Sequence, residues 1–168
     1  MEIVRATADR AEDIGYVHAM SWHAAYHGLV PQEFLDNFTP EKRAEMFRTT
    51  IPASAEEYYI AYLDRQPVGM LALGNSQDDD ADASVGEIHA IYVLAEYWGR
   101  GYGKKLMDFA VNRLRELSCR TVTLWVMAEN TRARRFYEIY GYVWDGATRE
   151  INLGGKPFVL VRYVFALE

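Results

Sequence analysis

The sequence predicts an α/β fold in which helices pack on the faces of a mixed β-sheet, an arrangement with α+β character. A central strand–helix–strand unit over residues 85–94, 103–117 and 121–127 needs a crossover, so its two strands are parallel and the connection is right-handed. Hairpin patterns over 57–75 and 149–167 make the other strands antiparallel. Helical segments separate these strands, and such helices cover the apolar faces of a sheet.

The N-terminal elements are a strand and two helices. Residues 2–7 alternate in polarity, which predicts a strand. Asp9 is placed to cap a helix that runs to about Ala25, with apolar residues at helical spacing. Thr39 is placed to cap a second helix, with Pro40 at its first position.

A hairpin and an acidic segment follow. Residues 57–64 and 67–75 predict two strands joined by the turn Arg65-Gln66. The acidic run at 76–84, "SQDDDADAS", could attract polyamines or form a solvated hairpin tip. We favour the tip, because the run precedes strand 85–94 at the end opposite the glycine-rich segment.

The C-terminal elements are a helix and a hairpin. Asn130 is placed to cap a helix that stops at Gly141, and Gly154-Gly155 is the turn of the last hairpin. The chain shows neither an internal repeat nor a linker. We therefore expect a single domain over residues 1–168.

The composition restricts the function classes. Half of the residues are apolar and the formal net charge is -6, which argues against nucleic acid as a partner. Cys119 is the only cysteine, so neither an intramolecular disulfide nor a cysteine-rich metal site is expected, and we predict no metal. The charged N-terminus and the lack of a long apolar run predict a cytoplasmic protein without a membrane partner.

The segment "EYWGRGYGKKLM" carries the strongest motif. Gly99, Gly101 and Gly103 follow a strand and open a helix, where unpaired amides and the helix dipole attract anions. Arg100 and Lys104 add positive charge. The spacing fits neither the Rossmann fingerprint nor the P-loop. The residues alone leave two interpretations open, an anion cradle and a turn that requires positive φ.

The segment "VGEIHAIYVLAEYWGRGYGKKLM" resembles the acetyl-CoA motif of the GCN5-related N-acetyltransferases, the GNAT superfamily. The family signature Arg/Gln-x-x-Gly-x-Gly/Ala falls on residues 98–103, although Trp98 replaces the Arg or Gln. "NTRARRFYEIYGY" is similar to the second family motif, and together the two motifs cover about residues 85–143. The resemblance implies a GNAT fold: a mixed, mostly antiparallel sheet of about six to seven strands, with helices on both faces and a parallel strand–helix–strand core for coenzyme A.

The resemblance implies acetyl-CoA as cosubstrate. It places the pyrophosphate on the amides of residues 99–104 and the pantetheine arm between strands 85–94 and 121–127, which should splay apart. The residues implied in cofactor binding are Ile91, Tyr92, Val93, Gly99, Arg100, Gly101, Tyr102, Gly103, Lys104, Asn130, Arg134 and Tyr137.

Three side chains are candidates for the chemistry. Because side chains alternate along a strand, Glu87, His89, Ile91 and Val93 should share one face. Glu87 is the first candidate for the base, since the resemblance places a carboxylate there in several members, and His89 or a water relay is the alternative. The resemblance implies that Tyr137 donates a proton to the departing thiolate. With nothing resembling a nucleophile elbow, and Cys119 better explained as a buried thiol, we expect direct transfer in a ternary complex.

The acceptor is open in the sequence. Trp22, Tyr26 and Glu87 are candidate acceptor-binding residues, although Trp22 and Tyr26 could equally be an i,i+4 aromatic pair packed on the sheet. The expected acceptor is a primary amine on a small molecule, polyamine, amino acid or peptide. The alternatives are a non-catalytic acyl-CoA-binding module and an enzyme for another acyl-CoA. The C-terminal strand is compatible with a homodimer.

Overall fold

The computed structural model describes residues 1–167. Seven strands form one sheet in the spatial order β1-β2-β3-β4-β5-β7-β6. The strands are β1 (Glu2–Arg5), β2 (Glu57–Leu63), β3 (Gln66–Asn75), β4 (Val85–Val93), β5 (Thr121–Met127), β6 (Val143–Leu153) and β7 (Lys156–Ala166). The helices are α1 (Ala11–Tyr26), α2 (Gln32–Asp36), α3 (Pro40–Ala53), α4 (Tyr102–Glu116) and α5 (Thr131–Tyr140).

The sheet is mixed, with β4 and β5 as its parallel pair and every other neighbouring pair antiparallel. The prediction of a mostly antiparallel sheet with a parallel strand–helix–strand core is therefore confirmed. Helix α4 makes the crossover from β4 to β5, as its place in the sequence requires.

Helices cover both faces of the sheet. On one face α4 and α5 enclose the larger apolar core, in which Leu106, Leu114 and Tyr163 are fully buried. On the other face α1 and α3 pack over β2 and β3, with Ile14 and Ile60 fully buried. The two helices touch at Gly15, where an added Cβ would lie 2.4 Å from the backbone nitrogen of Ala44, so a larger residue would force α1 and α3 apart.

Local signals set the helix ends. The side chain of Thr39 accepts the Lys42 amide at the start of α3, with Pro40 as its first residue, as predicted. Asn130 caps α5 by accepting the Ala133 amide, and Gly141 ends the helix at φ +116°.

Several boundaries differ from the prediction. The first hairpin turns at Asp64-Arg65, one residue earlier, because both residues adopt the positive φ that a two-residue turn requires. The short helix α2 was not predicted, since five residues give too little periodicity. Strand β6 begins at Val143 instead of 149, with an irregularity between Trp144 and Thr148 that hides its alternation.

Candidate active site

The two parallel strands separate after a short paired stretch. β4 pairs with β5 only from Val85 to Glu87, opposite Thr121 to Thr123, yet β4 continues to Val93 and β5 to Met127. The strands therefore splay as expected, and a cleft of about 680 Å³ opens between them. Most of the predicted site residues line this β4–β5 cleft: Trp22, Tyr26, Glu87, His89, Ile91, Tyr92, Val93, Gly99, Gly101, Gly103, Lys104, Asn130 and Tyr137.

The glycine segment lies at one end of the cleft, which we call the glycine end (residues 98–104 with the first turns of α5). Gly99 and Gly101 have φ of +72° and +82°, and a Cβ on either would meet nothing within 4 Å. Gly101 is the N-terminal cap of α4, so the free amides of the first turn lie beside this open space. The segment is thus both a turn that requires positive φ and an open approach to a helix N-terminus. Both features suit an anion.

Trp98, which departs from the family signature, lines the cleft at this end. Its indole nitrogen donates to the carbonyl oxygen of Val93 over 2.7 Å and so ties the loop to the end of β4. The guanidinium of Arg132 lies 4.0 Å from the centre of the Trp98 rings, and both side chains line the cleft.

Of the arginines on α5, Arg132 and Arg135 line the cleft, whereas the predicted Arg134 does not. Arg134 donates to the hydroxyl of Tyr163 over 3.0 Å and to the carbonyl of Ala128 over 3.1 Å. Helical spacing could have shown which of these arginines face the cleft. Residues 132 and 135 lie on the same helix face as Phe136 and Ile139, which also line the cleft.

Two further predicted contacts have side chains outside the cleft lining. Arg100 is exposed beside the ring of Tyr97, and Tyr102 packs edge-on against the same ring. Their backbone remains part of the glycine end. The ammonium of Lys104 is bound 2.8 Å from the carboxylate of Asp108, so this charge is partly used within α4.

Glu87 and His89 form a buried pair at the point where β4 and β5 part. Glu87 Oε1 lies 3.3 Å from His89 Nδ1, and Oε2 accepts from the Ser76 hydroxyl and the Gln77 amide. Burial alone would raise the pKa of Glu87, but His89 and the two hydrogen bonds lower it below its usual value. Conversely, burial lowers the pKa of His89, but Glu87 outweighs it and the pKa is raised.

The prediction that Glu87, His89, Ile91 and Val93 share one face is wrong. The register between β3 and β4 shifts at Ala72/Leu73, leaving His89 as an extra residue on β4. This bulge reverses the alternation, so Ile91 and Val93 pack in the α4 core, whereas Tyr92 packs on the α1 side. Glu87 and His89 stay together through their direct contact.

Tyr137 reaches the cleft from α5 and is 8% exposed. Burial and the nearby Tyr26 raise its pKa, so the phenol is protonated at neutral pH. It also packs against Tyr142 and Tyr163, so Tyr137 is both a packed aromatic residue and part of the cleft wall.

Trp22 and Tyr26 also combine two features. Their ring centres are 4.6 Å apart, as in an i,i+4 aromatic pair, and the Trp22 indole donates to the hydroxyl of Tyr92 over 3.0 Å. Both line the cleft from α1. Burial raises the pKa of Tyr26, an effect opposed by neighbouring Asn130 and Tyr92.

The acidic run 76–84 is not solvated along its whole length as predicted, because Asp78 is largely buried. This side chain is 10% exposed and accepts the indole N–H of Trp125. Asp78 and Asp80 both bind Arg162 on β7. This arginine follows Asp78 by 84 residues in the sequence. The loop thus closes the other end of the cleft, which we call the tryptophan end (Glu87, Trp125 and Arg149).

Within residues 1–167, His, Cys, Asp and Glu side chains do not gather in any group of three that could hold a metal ion. None of the helices in that range is long and apolar enough to cross a membrane. Cys119 is 5% exposed in the α4 core, as predicted, which removes it from the cleft chemistry.

Known proteins are similar to this chain in sequence and in fold. The family model described as Acetyltransferase (GNAT) family matches residues 22–142. An uncharacterized N-acetyltransferase of Archaeoglobus fulgidus is 31% identical over 141 residues, covering 82% of this chain and 89% of that protein.

Two solved structures match almost the whole chain. The PaiA N-acetyltransferase of Thermoplasma acidophilum, in complex with coenzyme A, gives a TM-score of 0.74 at 19% identity and covers 99% of this chain and 98% of its own. YncA of Salmonella typhimurium, solved with its cofactor acetyl-CoA, gives 0.73 at 16% identity and covers 100% and 94%. The family prediction is confirmed: this chain belongs to the acetyltransferase (GNAT) family and is an enzyme of the N-acetyltransferase class.

Proposed function

We propose that this protein transfers the acetyl group of acetyl-CoA directly to a primary amine while both are bound. The observation that carries the proposal is the β4–β5 cleft, which has open helix amides at one end and brings Glu87 and Tyr137 to its walls from different elements. A thin amide-containing arm fits between two strands whose facing edges are unpaired. The family match supports the same assignment.

At the glycine end, the amides of residues 99–104 would hold the pyrophosphate. The fit rests on the empty space over Gly99 and Gly101, where a phosphate oxygen can approach the backbone. Arg132 and Arg135 add positive charge from α5. Held in this way, acetyl-CoA would supply the activated acetyl group to the middle of the cleft.

Glu87 is the proposed proton acceptor. An amine with a pKa near ~10 is mostly protonated at neutral pH and must lose its proton before its nitrogen attacks the acetyl carbon. Glu87 is ionised, and its hydrogen bonds from His89, Ser76 and Gln77 fix its orientation. Its lowered pKa keeps Glu87 ionised at neutral pH, so that it can accept the proton, directly or through a water molecule.

Tyr137 is the proposed proton donor. As the bond between the acetyl carbon and sulfur breaks, the sulfur gains the electron pair, and a phenol held protonated by burial can donate to it. With Cys119 in the core, nothing supports an acetyl-enzyme step, so the acetyl group passes to the amine in one transfer.

The deciding experiment measures thiol release from acetyl-CoA across a panel of amines, amino acids, polyamines and peptides, with propionyl- and butyryl-CoA in parallel. We expect turnover with at least one amine. Glu87→Gln should lower kcat/KM about 100-fold at pH 7, and less at higher pH as the amine deprotonates unaided. Tight coenzyme A binding without turnover on any amine would instead indicate an acyl-CoA-binding module.

A further inference from the structure

Two arginines flank Trp125, and the structure uses them differently. Arg162 is 14% exposed and binds three carboxylates, those of Asp78, Asp80 and Asp145, over 2.6–3.1 Å. Its donors are consumed in fastening the loop 76–84 to β7. Arg162 is therefore a structural residue, and it does not line the cleft.

Arg149, on β6, differs from Arg162 in lining the cleft and in being more exposed. Its guanidinium lies 4.3 Å from the centre of the Trp125 rings and lines the cleft, and its side chain is 49% exposed. Within residues 1–167 its one carboxylate neighbour inside 4 Å is Asp78, at 3.9 Å, which is beyond hydrogen-bond distance. A guanidinium that lies on an indole keeps its N–H donors free at its rim, where a carboxylate can bind with both oxygens.

The spacing from Glu87 to Trp125 limits what can join them. Glu87 stands opposite Thr123, and Trp125 is two residues farther along β5 on the same face. That is about 7 Å along the strand and about 5 Å across, or about 9 Å between backbone positions. A span of this size is that of a small molecule. An acceptor whose amine and carboxylate lie a few bonds apart can meet Glu87 with one group and the guanidinium on Trp125 with the other.

The wall beside Arg149 is apolar. Ile151, Leu160 and Met127 line the cleft there, so an acceptor with a hydrophobic side chain finds matching surface. A polyamine would instead bring its second positive charge against the guanidinium of Arg149.

We propose that the acceptor is an amine that also carries a carboxylate, of the amino-acid class, and that Arg149 selects it by binding that carboxylate. This inference rests on the acetyl transfer proposed above. Arg149 is then the specificity-determining residue of the tryptophan end.

The test uses acceptors that differ only in the anionic group: phenylalanine, phenylalaninamide and phenethylamine, with spermidine as a polyamine. We expect kcat/KM for phenylalanine to exceed that of the other three at least tenfold. Arg149→Gln should bring the first three to similar values, and Arg149→Lys should restore part of the preference. Arg115→Gln, an equal loss of charge on the exposed side of α4, is the control and should leave the preference intact.

Calorimetry with protein saturated in coenzyme A measures the same selectivity without turnover. Tighter binding of phenylalanine than of phenethylamine, lost in Arg149→Gln, supports the proposal. A wild-type preference for phenethylamine or spermidine, or a carboxylate preference that survives Arg149→Gln, overturns it. Failure of the proposed acetyl transfer would look different. None of the four acceptors would then cause thiol release, although calorimetry would still show tighter binding of phenylalanine than of phenethylamine.

Discussion

The two ends of the β4–β5 cleft are built in opposite ways. The glycine end comes mainly from consecutive residues, 98–104, whose backbone conformation makes the site. The tryptophan end combines side chains from β4, β5 and β6 with a loop at 76–84. A site made by backbone can therefore stay constant while a site made by side chains changes, which suits a fixed cosubstrate at one end and a variable acceptor at the other.

The largest effect should come from blocking the glycine end. Gly101→Glu places a carboxylate in the open space and strains a backbone at φ +82°, so we expect coenzyme A affinity to fall about 1000-fold. Calorimetry with coenzyme A measures this change. Gly146→Glu is the matched control, because Gly146 also has a positive φ, +92°, and open space around it but does not line the cleft. Equal coenzyme A affinity in both variants would show that the glycine end does not bind the pyrophosphate.

A second variant should lower the rate of acetyl transfer without weakening binding at either end of the cleft. Tyr137→Phe keeps the buried ring but loses the proton donor, so we expect kcat to fall about 100-fold and coenzyme A affinity to change less than about twofold. Steady-state kinetics and calorimetry on the same preparation separate the two effects. Turnover near wild type would make Tyr137 a packing residue.

The Trp98–Arg132 contact tests whether side chains also matter at the glycine end. Arg132→Gln should weaken coenzyme A binding about tenfold, because one cation beside the anion site is lost. If Trp98 holds that cation in place, Arg132→Gln should have a smaller effect in a Trp98→Leu background. Trp98→Phe, which keeps a ring and loses the bond to Val93, separates stacking from the loop anchor. Additive effects would show that the two side chains act independently.

The smallest effect should lie outside the cleft. Glu57 binds Arg113 through both oxygens and also Arg5 and Tyr59, and Arg113 is the main cause that lowers its pKa to about 2. Because the folded pKa lies below the unfolded one, this stabilisation is present above about pH 4.5 and is lost as the pH falls towards 2.

The partners of Glu57 are partly exposed, so we expect Glu57→Gln to lower the free energy of unfolding by about 1 kcal/mol at pH 7. Urea denaturation at pH 7 and pH 3 should show the difference between variant and wild type shrinking at the lower pH. A loss of coenzyme A affinity in Glu57→Gln would contradict the separation of scaffold and site.

Local signals account for what the sequence predicted. The crossover at α4, the caps Thr39 and Asn130, and the glycine segment each depend on neighbours in the chain, and all four occur as predicted. The bulge at His89 was not visible, because it depends on how β4 pairs with β3. A pattern of alternation cannot report a register that another strand imposes.

Except for Glu87, the tryptophan end was missed for a related reason. Asp78 and Arg162 are 84 positions apart, and Arg149 acquires its role only by lying on Trp125. Charge along the sequence indicated a solvated acidic run, whereas in three dimensions two of its carboxylates, those of Asp78 and Asp80, bind Arg162 on β7. Side-chain contacts over such separations follow from the tertiary fold and have no local signature.

The short pairing of β4 with β5 leaves two open strand edges in the middle of a sheet. Such edges ordinarily invite another chain to add a strand. Here the edges diverge from three joined residues, so the gap between them is a wedge that is closed where Val85–Glu87 pair with Thr121–Thr123. A slender molecule with amide groups can enter and complete the ladder as an eighth, non-peptide strand. Under the proposed function, the sheet would be complete only while acetyl-CoA is bound.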